Sequence, residues 1–247
     1  MGRDVRETSA LRMTPLSFRS SRYARRMFKQ VGFFHFAKNY QDPIGSLKNA
    51  LSRHDDVRDS LIVLPEAFNN GRSYYDQPLM QPEFTCAEMV HELTRIGAGV
   101  GTAFVAGLLA PPQSSAYFID RNGASLLRHK MCDDHSGQYT PCETNCNFQN
   151  PFEKEGAYLG TLICNDIERH AQGMAAKLDQ RGDIRKVVCL PGCMGSQWFG
   201  SGPLTLDHWK GKYLILANSN AYGCGSFISN QMSEREIFTG EQNEVVL

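Results

Sequence analysis

The sequence predicts a single α/β domain, and three observations support this class. Strand-like and helix-like segments alternate along the chain, as they do when helices pack on sheets. The chain has 247 residues, of which 41% are hydrophobic, and this is enough for one large core. The continuous apolar run at 61–64, ended by Pro65, is typical of a strand buried on both faces, which is found where layers cover both sides of a sheet.

Apolar periodicity places the helices. Ile44, Leu47 and Leu51 have helical spacing, and Pro43 suits a first helical turn, so we expect a helix over 43–56. Three further helices are predicted by the same criterion, over 85–96, 166–180 and 204–211.

Short apolar runs and turn residues place the strands. Arg121-Asn122-Gly123 is a hairpin signal of the Asn-Gly type between predicted strands at 117–120 and 125–128. Apolar runs predict the remaining strands, at 31–36, 61–64, 103–109, 156–164, 187–190, 213–218, 226–229 and 244–247.

Charge and composition exclude several classes of function. The 26 basic residues equal the 26 acidic ones, so the chain as a whole has no field to hold a nucleic acid, and we expect no nucleic-acid partner. No apolar run approaches the 18 residues of a membrane span, so no membrane partner is expected either. Eight cysteines are too few for a disulfide scaffold and no secretory segment is visible, so we expect reduced thiols and a cytoplasmic protein.

The first 29 residues differ in charge from the rest, with seven Arg and one Lys against Asp4 and Glu7. We expect residues 1–26 to be a poorly ordered basic extension and residues 27–247 to form the domain. Met27 opens the first predicted strand and is an alternative start to Met1. A mitochondrial transit peptide is the other interpretation of this segment, although its two early acidic residues count against it.

Three reactive side chains directly follow predicted strands, where ligand sites of α/β sheets concentrate. They are Glu66, Lys130 and Cys164. A thiol that attacks, a carboxylate that takes its proton and an ammonium that stabilises the oxyanion are the groups that acyl transfer through a thioester needs. Taken singly, each residue is more simply explained as a loop carboxylate, a surface lysine or a small buried thiol.

The ordered set of motifs resembles the nitrilase, or carbon–nitrogen hydrolase, superfamily. The motifs are Leu64-Pro65-Glu66, Arg128-His129-Lys130, Leu162-Ile163-Cys164-Asn165-Asp166 and Leu190-Pro191-Gly192. The resemblance implies a four-layer α-β-β-α sandwich, assembled as a homodimer or larger homo-oligomer. It also implies a hydrolase of non-peptide C–N bonds, in the EC 3.5 class, that uses no metal and no organic cofactor.

Carried over residue by residue, the resemblance makes Cys164 the nucleophile, Glu66 the general base and Lys130 the oxyanion stabiliser, with the backbone N–H of Asn165 as second donor. The pair Asn165-Asp166 after the nucleophile favours an amide or N-carbamoyl substrate over a nitrile. Asp166 is a supporting residue of the site or, equally, a helix N-terminal residue stabilised by the helix dipole.

Two departures from the family pattern keep a second function open. A further Glu expected between the Lys and the Cys is replaced by Asp134 or His135, either of which would orient water or substrate. The chain ends at Leu247, before the last strands of the pattern, so a sheet edge and some dimer contacts are expected to be missing. The alternative is a catalytically inactive homologue that acts as a binding or regulatory protein.

A structural zinc site is the competing chemical interpretation of the cysteines. Cys132, His135, Cys142 and Cys146 lie within 15 residues and have the donor atoms of a zinc clip. Such spacing also arises by chance in a chain with 8 Cys and 7 His, and we expect no metal.

Overall fold

The computed structural model describes residues 28–35, 42–70, 83–132, 152–154, 156–182, 185–192, 207–218, 226–229, 235–238 and 244–247. The predicted extension 1–26 lies outside these residues. So do Asp134 and His135, and with His135 two more of the four candidate zinc ligands, Cys142 and Cys146. Within the described part, no helix combines the length and apolar character needed to cross a membrane.

The first sheet has six strands and is covered by two helices. Its strands run in the order β12-β1-β2-β3-β4-β5. Strands β1, β2 and β3 are parallel, while β12, β4 and β5 are antiparallel to their neighbours. The strand bounds are β1 Gln30–His35, β2 Ser60–Leu64, β3 Ala103–Ala110, β4 Gln113–Asp120, β5 Gly123–His129 and β12 Glu244–Val246. The helices are α1 Pro43–Leu51 and α2 Cys86–Val100.

The second sheet repeats this arrangement with strands from residues 152–238. Its order is β11-β10-β9-β8-β7-β6, with β7, β8 and β9 parallel and the outer strands antiparallel. The strand bounds are β6 Phe152–Lys154, β7 Ala157–Thr161, β8 Arg185–Gly192, β9 Tyr213–Asn218, β10 Ser226–Ser229 and β11 Arg235–Phe238. One helix, α3 Asp166–Asp179, connects β7 to β8.

Alternation along the strands places the two sheets against each other. In β2, Leu61 and Val63 belong to the core shared with the second sheet, while Ile62 and Leu64 belong to the core shared with α1 and α2. Successive side chains of a strand point to opposite faces. Both faces of β2 are covered, so all four side chains are fully buried. Helix α3 packs on the second sheet, where a Cβ at Gly160 would meet the Met174 sulfur.

Side-chain caps start α1 and α2 close to where the sequence predicts them. Asp42 accepts a hydrogen bond from the Gly45 N–H at 2.8 Å and starts α1. Thr85 and Glu88 form a reciprocal capping box at the start of α2, and Gly101, with φ 75°, ends it. Several expectations are wrong in extent. Helix α1 ends at Leu51 and not at residue 56, and α2 continues to Val100 and not only to residue 96. Strand β4 begins at Gln113 and not at residue 117, and the described part of 204–211 contains only a short 3-10 turn, Asp207–Trp209.

Candidate active site

A buried ion pair joins Glu66 to Lys130. Glu66 follows β2 and Lys130 follows β5, and each is only 1% exposed. Lys130 Nζ lies 2.8 Å from Glu66 Oε1, which is hydrogen-bond distance. Two opposite charges this deep in the core must compensate each other, since a single buried charge is strongly disfavoured. The structure therefore brings together two of the three predicted reactive side chains.

Ser114, in β4, is a third member of this cluster, and the sequence reasoning missed it. Its hydroxyl donates to Glu66 Oε1 at 3.1 Å, and its carbonyl oxygen accepts the Lys130 N–H at 2.8 Å. The residue is almost fully buried. Only the pairing of β4 with β5 in space reveals this role, because the sequence around Ser114 carries no motif.

Cys164 occupies a constrained turn between β7 and α3. Its φ of 48° lies in the left-handed region, which a non-glycine residue adopts only at a cost of about 1–3 kcal/mol. Its N–H donates to the Pro191 carbonyl at 2.9 Å, and its own carbonyl accepts the Ile167 N–H at the start of α3. A strained residue held in this way at a strand-to-helix turn is a feature of functional sites.

The last two residues of β8 bind the backbones of both Glu66 and Cys164. The Pro191 carbonyl accepts the Cys164 N–H at 2.9 Å, and the next carbonyl, of Gly192, accepts the Glu66 N–H at 3.4 Å. The two sheets approach closely here. A Cβ at Gly107 would lie 2.8 Å from Glu66 Cα and 2.9 Å from Pro191 Cβ, so only glycine fits.

Asp166 accepts hydrogen bonds from two separate segments, the residues after Lys130 and the residue before Cys164. Its Oδ1 accepts the N–H groups of Met131 and Cys132 at 2.9 and 2.8 Å, and its Oδ2 accepts the Ile163 N–H at 3.3 Å. Asp166 is therefore more than a residue at a helix N-terminus, although it does occupy that position in α3.

Arg128 supports the same connection. Its Nε lies 3.9 Å from Asp166 Oδ2, and its Nη1 donates to the carbonyl oxygen of Thr161, the last residue of β7. Burial lowers the pKa of the Arg128 guanidinium, while the Asp166 charge acts against that change. In the sequence Arg128 stands out only as part of a motif, because its partners Thr161 and Asp166 lie in β7 and α3.

Burial disfavours the thiolate form of the other described cysteines. Burial, aided by the charge of Asp166, raises the pKa of Cys132 to about 11. Burial alone raises the pKa of Cys189, and burial also raises that of Cys86. Among the residues that the structure describes, no group of three or more His, Cys, Asp or Glu side chains is arranged to hold a metal ion. Cys132 is the only candidate zinc ligand in that part.

Sequence comparisons find no relative, and structural comparisons find many. No protein-family model matches the chain, and no curated protein matches it. A mutant of the Nesterenkonia AN1 amidase from the nitrilase superfamily is 19% identical, with a TM-score of 0.61, and the match covers 87% of this chain and 88% of that one. The carbon-nitrogen hydrolase of Helicobacter pylori G27 is 19% identical, with a TM-score of 0.62 over 87% and 86% of the two chains.

A third solved structure agrees with these two. A CN-hydrolase superfamily protein of Xanthomonas campestris, with an arsenic adduct in its active site, is 13% identical, with a TM-score of 0.61 over 87% and 88% of the chains. Identities this low establish the fold and not the chemistry. The resemblance predicted from the motifs is thus confirmed in three dimensions: this chain has the mixed α/β fold of the nitrilase, or carbon–nitrogen hydrolase, superfamily.

Proposed function

We propose that the chain is a cysteine-dependent hydrolase of non-peptide C–N bonds, in the EC 3.5 class, with Glu66, Lys130 and Cys164 as its catalytic residues. The observation that carries the proposal is the end of β8, where consecutive carbonyls bind the Cys164 N–H and the Glu66 N–H. The carboxylate in turn binds Lys130 at 2.8 Å. These contacts support the proposal, because they bring the Cys164 and Glu66 backbones to neighbouring residues of β8 and the Lys130 ammonium to the Glu66 carboxylate.

The chemistry follows from these groups. Glu66 takes the proton of the Cys164 thiol, and the thiolate attacks the carbonyl carbon of the substrate. Lys130 and the backbone N–H of Asn165 stabilise the negative oxygen of the tetrahedral intermediate. The C–N bond breaks, and the amine leaves with the proton that Glu66 returns. Water then hydrolyses the thioester and frees Cys164.

A small linear amide or an N-carbamoyl compound is the proposed substrate. Asn165-Asp166 follows the nucleophile where nitrile-hydrolysing members typically have Trp-Glu. One neighbouring structure points the same way, since a double mutant of the Nesterenkonia amidase is described in complex with acrylamide. That observation concerns the Nesterenkonia protein, which is 19% identical to this chain.

We also propose that the layers form the four-layer α-β-β-α sandwich that the resemblance implies. Contacts of α1 with β12 and of α2 with β3 and β4 support an outer helical layer on the first sheet. Contacts of β2 and β3 with β8, and of α3 with β7, support the other two interfaces.

The test measures ammonia released from a panel of small linear amides and N-carbamoyl compounds. We expect turnover by the wild type, none by Cys164→Ala, and unchanged turnover by Cys189→Ala, a matched control at a buried thiol in β8. Far-UV circular dichroism of all three proteins shows whether the fold is intact.

Iodoacetamide labelling with peptide mapping gives a second readout that needs no substrate. We expect Cys164 to react much faster than Cys86, Cys132 and Cys189, whose pKa values burial raises. Hydrolysis retained by Cys164→Ala would remove this thiol from the mechanism. An unreactive Cys164 together with no turnover would favour the inactive homologue.

A further inference from the structure

The two oxygens of the Glu66 carboxylate have different surroundings. Oε1 accepts from two donors, Lys130 Nζ at 2.8 Å and the Ser114 hydroxyl at 3.1 Å. Oε2 is equally buried but has no hydrogen-bond partner within the described part of the chain. A buried carboxylate oxygen without a donor is costly for stability, and a catalytic role is one explanation for such an atom. The carboxylate is thus anchored through one oxygen and open at the other.

Ser114 lies where it can set this orientation. Its backbone carbonyl holds the Lys130 N–H at 2.8 Å while its side chain holds Glu66, so it contacts both members of the ion pair. Lys130 alone fixes the distance to the carboxylate but not its rotation, because an ammonium group donates in several directions. A second donor on the same oxygen removes that freedom.

We propose that Ser114 is a positioning residue for Glu66, which turns the carboxylate so that Oε2 receives the proton of Cys164. The inference rests on the proposed function. In this step the S–H bond of Cys164 breaks, an O–H bond forms at Oε2, and the same proton later leaves with the amine product. Ser114 itself touches neither the thiol proton nor the substrate.

The next residue in β4 offers a matched control. Ser115 is also fully buried, but its hydroxyl lies 2.7 Å from His129 Nδ1 and not at the carboxylate. Ser114→Ala and Ser115→Ala therefore remove the same atom from neighbouring positions of one strand, but only Ser114→Ala removes a hydrogen bond to the Glu66 carboxylate. Only the first change affects Glu66.

The experiment compares wild type, Ser114→Ala, Ser115→Ala and Ser114→Thr in amide hydrolysis and in the alkylation of Cys164 by iodoacetamide. For Ser114→Ala we expect kcat and the alkylation rate at neutral pH to fall about tenfold, with KM within about twofold. Ser115→Ala should match the wild type, and Ser114→Thr, which keeps a hydroxyl at this position, should restore both kcat and the alkylation rate.

Equal effects of Ser114→Ala and Ser115→Ala on kcat and on alkylation would overturn the inference. An effect on KM alone would do the same. A reactive Cys164 that slows in Glu66→Gln but not in Ser114→Ala leaves the proposed function standing and refutes the role of Ser114. A Cys164 that reacts no faster than the other described thiols, and no slower in Glu66→Gln, refutes both.

Discussion

Replacing Lys130 with Met leaves the Glu66 carboxylate buried without its cation. At 2.8 Å and an effective dielectric constant of about 20, the attraction between the two charges is about 6 kcal/mol. Relaxation of the structure and the hydrogen bond from Ser114 offset part of this lost attraction. We therefore expect Lys130→Met to lower the free energy of unfolding by about 3–5 kcal/mol.

An exposed pair of nearly the same length provides the control. Lys210 Nζ lies 2.9 Å from Asp207 Oδ1, but the two side chains are 67% and 86% exposed. Lys210→Met should therefore cost at most about 1 kcal/mol, since water screens such a pair. The comparison separates the effect of burial from the effect of distance.

The assay is urea unfolding followed by circular dichroism for Lys130→Met, Glu66→Gln, Lys210→Met and the double variant Glu66→Gln/Lys130→Met. The double variant should be more stable than Lys130→Met alone, because it contains no unpaired buried charge. A decrease in the free energy of unfolding that is no larger for Lys130→Met than for Lys210→Met would refute the role of burial. The reasoning also fails if the added Glu66→Gln substitution restores no stability.

Two further predictions concern packing and pH. Gly107→Ala should lower the free energy of unfolding in urea by about 1–3 kcal/mol and lower amide turnover, since its Cβ would press on Glu66 Cα and Pro191 Cβ. Gly182→Ala, whose Cβ meets nothing within 4 Å, should change neither quantity. Burial lowers the pKa of His170, so below the unfolded pKa of about 6.5 the unfolded chain binds more protons and the wild type loses stability as pH falls. His170→Gln should flatten the dependence of the unfolding free energy on pH between about 7 and 5, and an unchanged slope would contradict this assignment.

The sequence was most informative where structure is local. The strand predicted over 213–218 coincides with β9, because its short, continuous apolar run suits a strand that is buried on both faces. The helix predicted over 43–56 was too long, since residues 52–56 offer no apolar side chain to bury. Strands β6 and β11 were not predicted: Phe152–Lys154 has only three residues, and Arg235–Phe238 is a mixed segment at a sheet edge.

The site shows the same division between local and non-local information. Position after a strand, together with motif order, predicted Glu66, Lys130 and Cys164 as site residues, and the structure pairs the first two. The sequence did not predict the role of Ser114, because its partners Lys130 and Glu66 lie 16 and 48 positions away along the chain. A serine in a strand also gives no sign of which face of the sheet it occupies. The sequence also did not predict that Asp166 binds backbone N–H groups on both sides of the site. These hydrogen bonds depend on contact between the chain after β5 and the chain before α3.

Because the end of β8 binds the backbones of both Glu66 and Cys164, these two residues come together only after the two sheets have met. Glu66 and Lys130 extend from the first sheet, while Cys164 follows β7 of the second. Each sheet has its own set of neighbouring parallel strands and can gain secondary structure before the sheets dock, whereas contacts between distant segments form late. During refolding, burial of Cys164 against β8 therefore marks the docking of the two sheets, and we expect it to follow the recovery of secondary structure in time.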